Sequence, residues 1–217
     1  MARGNARMRI FEDDGEYRFF LLLFADITHH FKIDCLNYCL MPNHYHLTVL
    51  PTLPNLSDAI RQLNGSYAQW WNKRHDRVGH VFQGRFKDQI VQREGYFLNL
   101  CRYIARNPKR ARLTARPEEW PWSSYAATIG LRPLPEFLNI IPTLRQFGDE
   151  DDAQLRARFR AYVDCDLDDE VEDRIRSRER IIGDRLFKTA VRLGATEPLA
   201  LTGSRIQDPV HGADAMA

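Results

Sequence analysis

Met41-Pro42-Asn43-His44-Tyr45-His46-Leu47-Thr48-Val49-Leu50 is the stretch on which the reading of this chain turns. A strand repeats every two residues, so His44 and His46 leave one face while Tyr45, Leu47 and Val49 leave the other. Residues 33–40 alternate as well, and Met41-Pro42-Asn43 has the composition of a turn. The spacing therefore predicts a β-hairpin at the centre of a sheet. Two neutral imidazoles side by side on a strand make half of a divalent-metal site. On this stretch alone, two histidines packed on a half-buried strand would read the same way.

Working outward, residues 15–31 carry Phe20, Leu23, Phe24, Ile27 and Phe31 at three- and four-residue steps, the stripe of an amphipathic helix. His29 and His30 close its last turn, where positive charge suits the helix dipole. Pro51 and Pro54 end the histidine strand. Ser57 is placed to cap a helix reaching about residue 74, with Ile60, Leu63, Tyr67 and Trp70 or Trp71 inward. Gly79 to Lys87 reads as a loop entering a strand at 86–92, with His80 as a loop cap. A further helix is expected over 94–106, stopped by Asn107-Pro108. Its core face is Phe97, Leu100, Cys101 and Ile104, while Tyr96, Asn99, Tyr103 and Asn107 fall on an adjacent face. Trp122 and Tyr125 read as packing that closes the domain.

Helix, strand, strand, helix, strand, helix is most of a ferredoxin-like α/β sandwich, which begins with one more strand. The expected class is α+β, an antiparallel sheet with a C-terminal helical appendage. Residues 1–130 read as the main domain. Pro133, Pro135 and Pro142 read as a linker into a helical region (131–194, with helices over 151–163 and 168–193), and 195–217 as a disordered tail.

The 217 residues are 44% hydrophobic and 28% charged, and no apolar run reaches the roughly 20 residues of a membrane helix. No signal-peptide pattern is seen, and Cys35, Cys39, Cys101 and Cys165 match neither a zinc nor a disulfide spacing. A cytoplasmic protein with reduced thiols and no membrane partner is expected. The net charge of +2 hides an asymmetry: residues 1–130 hold 18 Lys/Arg against 12 Asp/Glu, and 131–217 hold 13 against 17. Residues 73–116 alone place 12 basic side chains against 3 acidic ones, with aromatics interleaved. That is the electrostatic footprint of a nucleic-acid binder.

A metal-binding strand, a helical tyrosine with an amide one turn on, and a basic surface together suggest one chemistry. A tyrosine hydroxyl attacks a phosphodiester while a divalent cation polarises the phosphoryl oxygen. Mixed nitrogen and oxygen donors suit manganese, with magnesium next and zinc disfavoured for want of thiolates. Arg85, Lys87, Arg106, Lys109 and Arg110 are candidate phosphate contacts.

With these residues in view, the chain resembles the REP-associated single-tyrosine HUH transposases, carriers of an IS200-like transposase domain. The matching stretches are Arg3-Gly4-Asn5, Cys39 to His46, Gly79 to Lys87, Tyr103-Ile104-Ala105-Arg106-Asn107-Pro108 and Trp122-Ser123-Ser124-Tyr125. The resemblance implies a homodimer that binds hairpin-forming single-stranded DNA and cuts and rejoins it. It implies His44, His46 and Asn107 as ligands of Mg or Mn, and Tyr103 as the nucleophile forming a 5′-phosphotyrosine link. Tyr45 fits the hydrophobic middle position loosely, and its hydroxyl is expected to point away from the metal. Family members carry a strand before Arg-Gly-Asn, so a truncated first strand is expected here. A hairpin-DNA-binding protein without turnover is the alternative.

Overall fold

The computed structural model describes residues 1–165, 173–175, 177 and 179–193. The predicted hairpin is present as β2 (Ile33–Met41) and β3 (His44–Pro51), paired antiparallel with Met41 opposite His44 and Cys39 opposite His46. On the other side of β3 lies β1 (Ala2–Arg3), pairing Ala2 with Tyr45 and Arg3 with His44. The first strand is thus two residues long, and it pairs the histidine strand at His44 itself.

Residues 81–87 run along the outer side of β1. Asn5 N donates to Val81 O and Gln83 N to Arg3 O (both 2.8 Å), Gly4 bridges Phe82, and Met1 and Lys87 exchange two bonds of 2.9 Å. The lateral order, 81–87, β1, β3, β2, is that of a ferredoxin-like sandwich. The strand expected at 86–92 therefore sits earlier in the chain. Val81 and Phe82 are buried and fix this segment, although the glycines around them disguise its alternation. Only Ile90–Val91 (β4) is extended within the later half, and it pairs in parallel with Ile181–Ile182 (β5).

Gly4 makes the close turn out of β1. A Cβ there would lie 2.3 Å from Met8 O and 2.9 Å from Ile10 Cγ2. Backbone cannot yield as a flexible side chain can. Gly4→Ala is therefore expected to cost about 1–3 kcal/mol by overpacking, read as a lowered urea midpoint; an unchanged midpoint would contradict this close approach.

One face of the sheet is covered by α1 (Asp14–Phe31) and α2 (Leu56–Arg74). Asp13 caps α1 through its side chain to Glu16 N, and Lys32 ends it in the left-handed region at φ 54°. Phe20, Phe24 and Ile27 are buried as the stripe predicts. The start of α2 differs: Ser57 lies inside the first turn, and Asn55 precedes it, its Nδ2 donating to Phe31 O. Tyr45 points into this layer, its ring tilted against that of Phe20 (4.8 Å), with its hydroxyl donating to Asn64 Oδ1 at 2.7 Å. By strand alternation, His44 and His46 face the opposite layer.

That layer is α3 (Arg93–Arg110). It runs through Asn107-Pro108 rather than stopping there. Proline lacks a donor and deprives a single carbonyl of its partner, and here it falls in the last turn, where Ala111 N still reaches Asn107 O and Leu113 N reaches Pro108 O. The open edge of β2 is sealed by Trp122–Ser124 and by Leu138–Asn139: Leu40 N donates to Trp122 O, Ser124 N to Tyr38 O and Asn139 N to Cys35 O. Trp122 and Tyr125 thus do close the domain, with Tyr125 opening the single turn α4 (Tyr125–Thr128). Beyond it come α5 (Ile141–Leu144), α6 (Asp152–Asp164) and α7 (Arg185–Arg192). Leu138, Ile140, Leu144, Leu155, Phe159 and Val163 join the same apolar core as α1 and the sheet. Within the span expected as a helix at 168–193, Ile181–Ile182 form β5 and Arg185–Arg192 form α7, and residues 166–172 and the tail from 194 lie outside the described residues.

Candidate active site

His44 and His46 stand side by side, ring centroids 5.1 Å apart and nearly perpendicular. The partner of the first ring is legible from the hydrogen bonds. Asn43 Nδ2 donates to Arg7 O at 3.2 Å, which turns its Oδ1 toward His44 Nδ1 at 2.7 Å. An amide oxygen only accepts, so His44 Nδ1 carries the proton and Nε2 keeps its lone pair. Asn43 was read from sequence as a turn residue. Its role as the orienting group of the adjacent imidazole went unread because it depends on where Arg7 lies.

Tyr103 is brought over this pair by α3. Its ring meets that of His46 edge to face at 6.0 Å, and Arg110 Cζ lies 5.3 Å from its centroid. The helix is held at this height by a buried amide: Asn37 Nδ2 donates to Cys101 O (3.3 Å) while its Oδ1 accepts from Ser124 Oγ (2.6 Å). Cys39 and Met41, the cross-strand neighbours of His46 and His44, pack against Ile104, with Leu100, Tyr103 and Trp120 around them. Asn107 follows one helical turn after Tyr103, and its Nδ2 donates to Tyr103 O at 3.1 Å. The amide oxygen is thus the end left to meet a cation.

Eight tyrosines occur in the chain. Tyr17, Tyr38, Tyr45, Tyr67 and Tyr125 are buried. Tyr162 donates its hydroxyl to Asn99 Oδ1, and Tyr96 accepts from Arg174. Tyr103 is half-buried, its ring against that of His46, with neither restriction. Tyr96 and Asn99, which share its helical face in sequence, instead serve the packing of C-terminal residues on α3.

Of the candidate phosphate contacts, Arg85, Lys87, Lys109 and Arg110 are exposed. Arg110 lies at Tyr103, and Lys87 is tied through its backbone to Met1 beside β1. Arg106 points the other way, donating to Cys165 O at the end of α6. His80 is exposed on its loop. One basic residue unassigned in the sequence belongs to the site. Arg3 is the cross-strand partner of His44, so its side chain shares the face of both imidazoles.

Both imidazoles resist protonation. Burial, then the Arg3 charge and the N-terminal ammonium, lowers the His44 pKa from 6.5 to about 4. Burial, then the neighbouring His44, holds His46 well below the ordinary range. The neutral rings are the metal-binding form. Because these folded values lie below the unfolded one, the unfolded chain binds more protons under pH 6.5. Stability is then fully present above pH 6.5 and is lost as pH falls toward 4, by about 2–3 kcal/mol at His44. Urea midpoints at pH 7 and 4.5 should therefore differ less in His44→Gln than in the parent; an equal difference would contradict the burial of an uncharged ring.

Among the described residues no third His, Cys, Asp or Glu joins the pair, so a further protein donor here is an amide or hydroxyl oxygen. Two half-buried neutral imidazoles with an oxygen donor fit a divalent cation of intermediate hardness. Nor, among the described residues, is any helix long and apolar enough to cross a membrane.

Comparison with known proteins bears on this site. Residues 1–107 match the family model described as transposase IS200 like, a span that includes His44, His46, Tyr103 and Asn107. A Haemophilus influenzae protein named as a REP-associated tyrosine transposase is 27% identical over 133 residues, covering 55% of this chain and 74% of that protein. A solved structure of a REP-associated tyrosine transposase bound to a REP hairpin is similar at a TM-score of 0.50 and 15% identity, over 64% of this chain and 82% of that one. At that identity the likeness is one of fold.

Proposed function

Since residues 1–107 match the IS200-like transposase family model, we propose that the chain cleaves and rejoins single-stranded DNA at hairpin-forming sites with Tyr103 as nucleophile. The observation that carries this reading is the approach of the Tyr103 ring to His46, across the gap between α3 and the sheet. Among the described residues Tyr103 is the tyrosine that is neither buried nor hydrogen-bonded through its hydroxyl, and its ring lies against His46. In the reaction the Tyr103 oxygen forms a bond to phosphorus and the P–O3′ bond breaks. The phenolic proton passes to solvent, the departing 3′ oxygen takes one up, and the 5′ phosphate remains on the tyrosine. Rejoining reverses these steps with another 3′ hydroxyl.

His44, His46 and the Asn107 oxygen would hold Mn or Mg, which when bound withdraws charge from the phosphoryl oxygen. Asn43 keeps the His44 ring turned with Nε2 outward. Arg110 lies beside the nucleophile and, with Lys109, offers charge to the DNA backbone. Lys87 and Arg85 offer the same beside β1. Incubation with a hairpin oligonucleotide pool and manganese should yield a covalent protein–DNA adduct that chelator abolishes. Salt-sensitive binding with no adduct under any divalent metal would favour a binding protein without turnover.

Asn43 supplies a separate prediction. Its loss frees the His44 ring to turn and to take the other tautomer. Asn43→Ala is expected to weaken manganese binding about 10- to 100-fold, the usual cost of removing a ligand's orienting partner. Titration calorimetry checks this, and an unchanged affinity would mean that the ring is held by packing alone.

A further inference from the structure

Arg3 places a permanent positive charge on the very face that would receive a cation. It sits opposite His44 in the β1–β3 ladder, and residues opposite each other in an antiparallel pair project side by side. Its Nε is buried and makes no hydrogen bond among the described residues. A guanidinium donor held in place without an acceptor is an anion site in waiting, because its planar fork matches the oxygens of a phosphodiester. Its position is built: Gly4 N donates to Asn43 O and Gln83 N donates to Arg3 O, locking the residue between the histidine strand and the 81–87 segment.

We infer that Arg3 couples the metal to the DNA: it repels the cation from the empty site and, once paired with a backbone phosphate, ceases to do so. Metal and DNA then each tighten the other's binding by the same factor, as linkage requires. This rests on the reading of His44 and His46 as ligands. It adds that a site of two neutral imidazoles beside an arginine is a poor metal site alone and a good one with phosphate present. Metal occupancy thereby rises when DNA arrives.

The test is manganese affinity, measured by electron paramagnetic resonance with and without a saturating mixed-sequence hairpin oligonucleotide pool. A Tyr103→Phe background keeps adduct from forming. In that parent, DNA should tighten manganese binding about tenfold. Arg3→Gln should raise the affinity of the DNA-free protein by about three- to tenfold, the scale for relieving one like charge beside a divalent ion in a partly solvated site. It should also reduce the tightening by DNA to less than twofold. Arg3→Lys keeps the charge at similar length and should stay near the parent in both, which separates charge from folding. The inference is overturned if DNA-free affinity is unchanged or weaker in a folded Arg3→Gln, or if the DNA effect survives there. Manganese binding that His46→Ala abolishes but Arg3→Gln leaves alone sinks this inference only. Absence of any His46-dependent manganese binding sinks the metal reading and this inference together.

Discussion

Replacing Tyr103 by Phe is expected to eliminate covalent adduct formation, a loss of about a thousandfold or more, because the proposed nucleophile is removed. The substitution deletes one oxygen and keeps the ring. Its edge-to-face contact with His46 and its position under Arg110 depend on that ring, so fold and hairpin affinity should stay near those of the parent. This separation of binding from chemistry makes the variant diagnostic. No other tyrosine is placed to substitute: five are buried, and Tyr96 and Tyr162 are hydrogen-bonded in the packing of C-terminal residues against α3. Adduct surviving at parental yield, followed on denaturing gels with labelled hairpin DNA, would remove Tyr103 from the mechanism.

His46→Ala is expected to abolish manganese binding at micromolar concentration and to lower adduct yield about a hundredfold or more. A cation stabilising developing phosphoryl charge contributes several kcal/mol, and a site with one imidazole and one amide oxygen holds it poorly. The variant should fold. His46 leaves the face opposite Tyr45, and the cluster of Cys39, Met41 and Ile104 beneath it is apolar. A half-buried neutral ring without a metal costs solvation that alanine does not, so the metal-free variant is expected to stay close to the parent in urea midpoint. Cleavage retained at parental level with manganese binding lost would show that the histidines have another purpose.

The hairpin, the facing of His44 and His46, and the i, i+4 spacing of Tyr103 and Asn107 are all local periodicities, and each was legible in the sequence. Pro108 misled because its cost is paid at one carbonyl in a final turn, where the packing of Ile104 on β2 outweighs it. The segment alongside β1 lies at 81–87 rather than wholly at 86–92, because Val81-Phe82 is too short to show alternation between flanking glycines. Its position is set by the free edge of β1, a contact some eighty residues away in sequence. Arg3 and Asn43 are the clearest lesson. Their roles arise from register across strands and from a hydrogen bond to Arg7, and neither can be read from spacing along one segment.

The proposed cleavage depends on one atom, the Tyr103 oxygen. Its most direct test is mass spectrometry of the protein after incubation with hairpin DNA and manganese, nuclease trimming of the DNA, and proteolysis. The account predicts a nucleotide joined through its 5′ phosphate to the peptide containing Tyr103, absent when manganese is withheld. A nucleotide on any other residue, or cleaved DNA with an unmodified Tyr103 peptide, would contradict it.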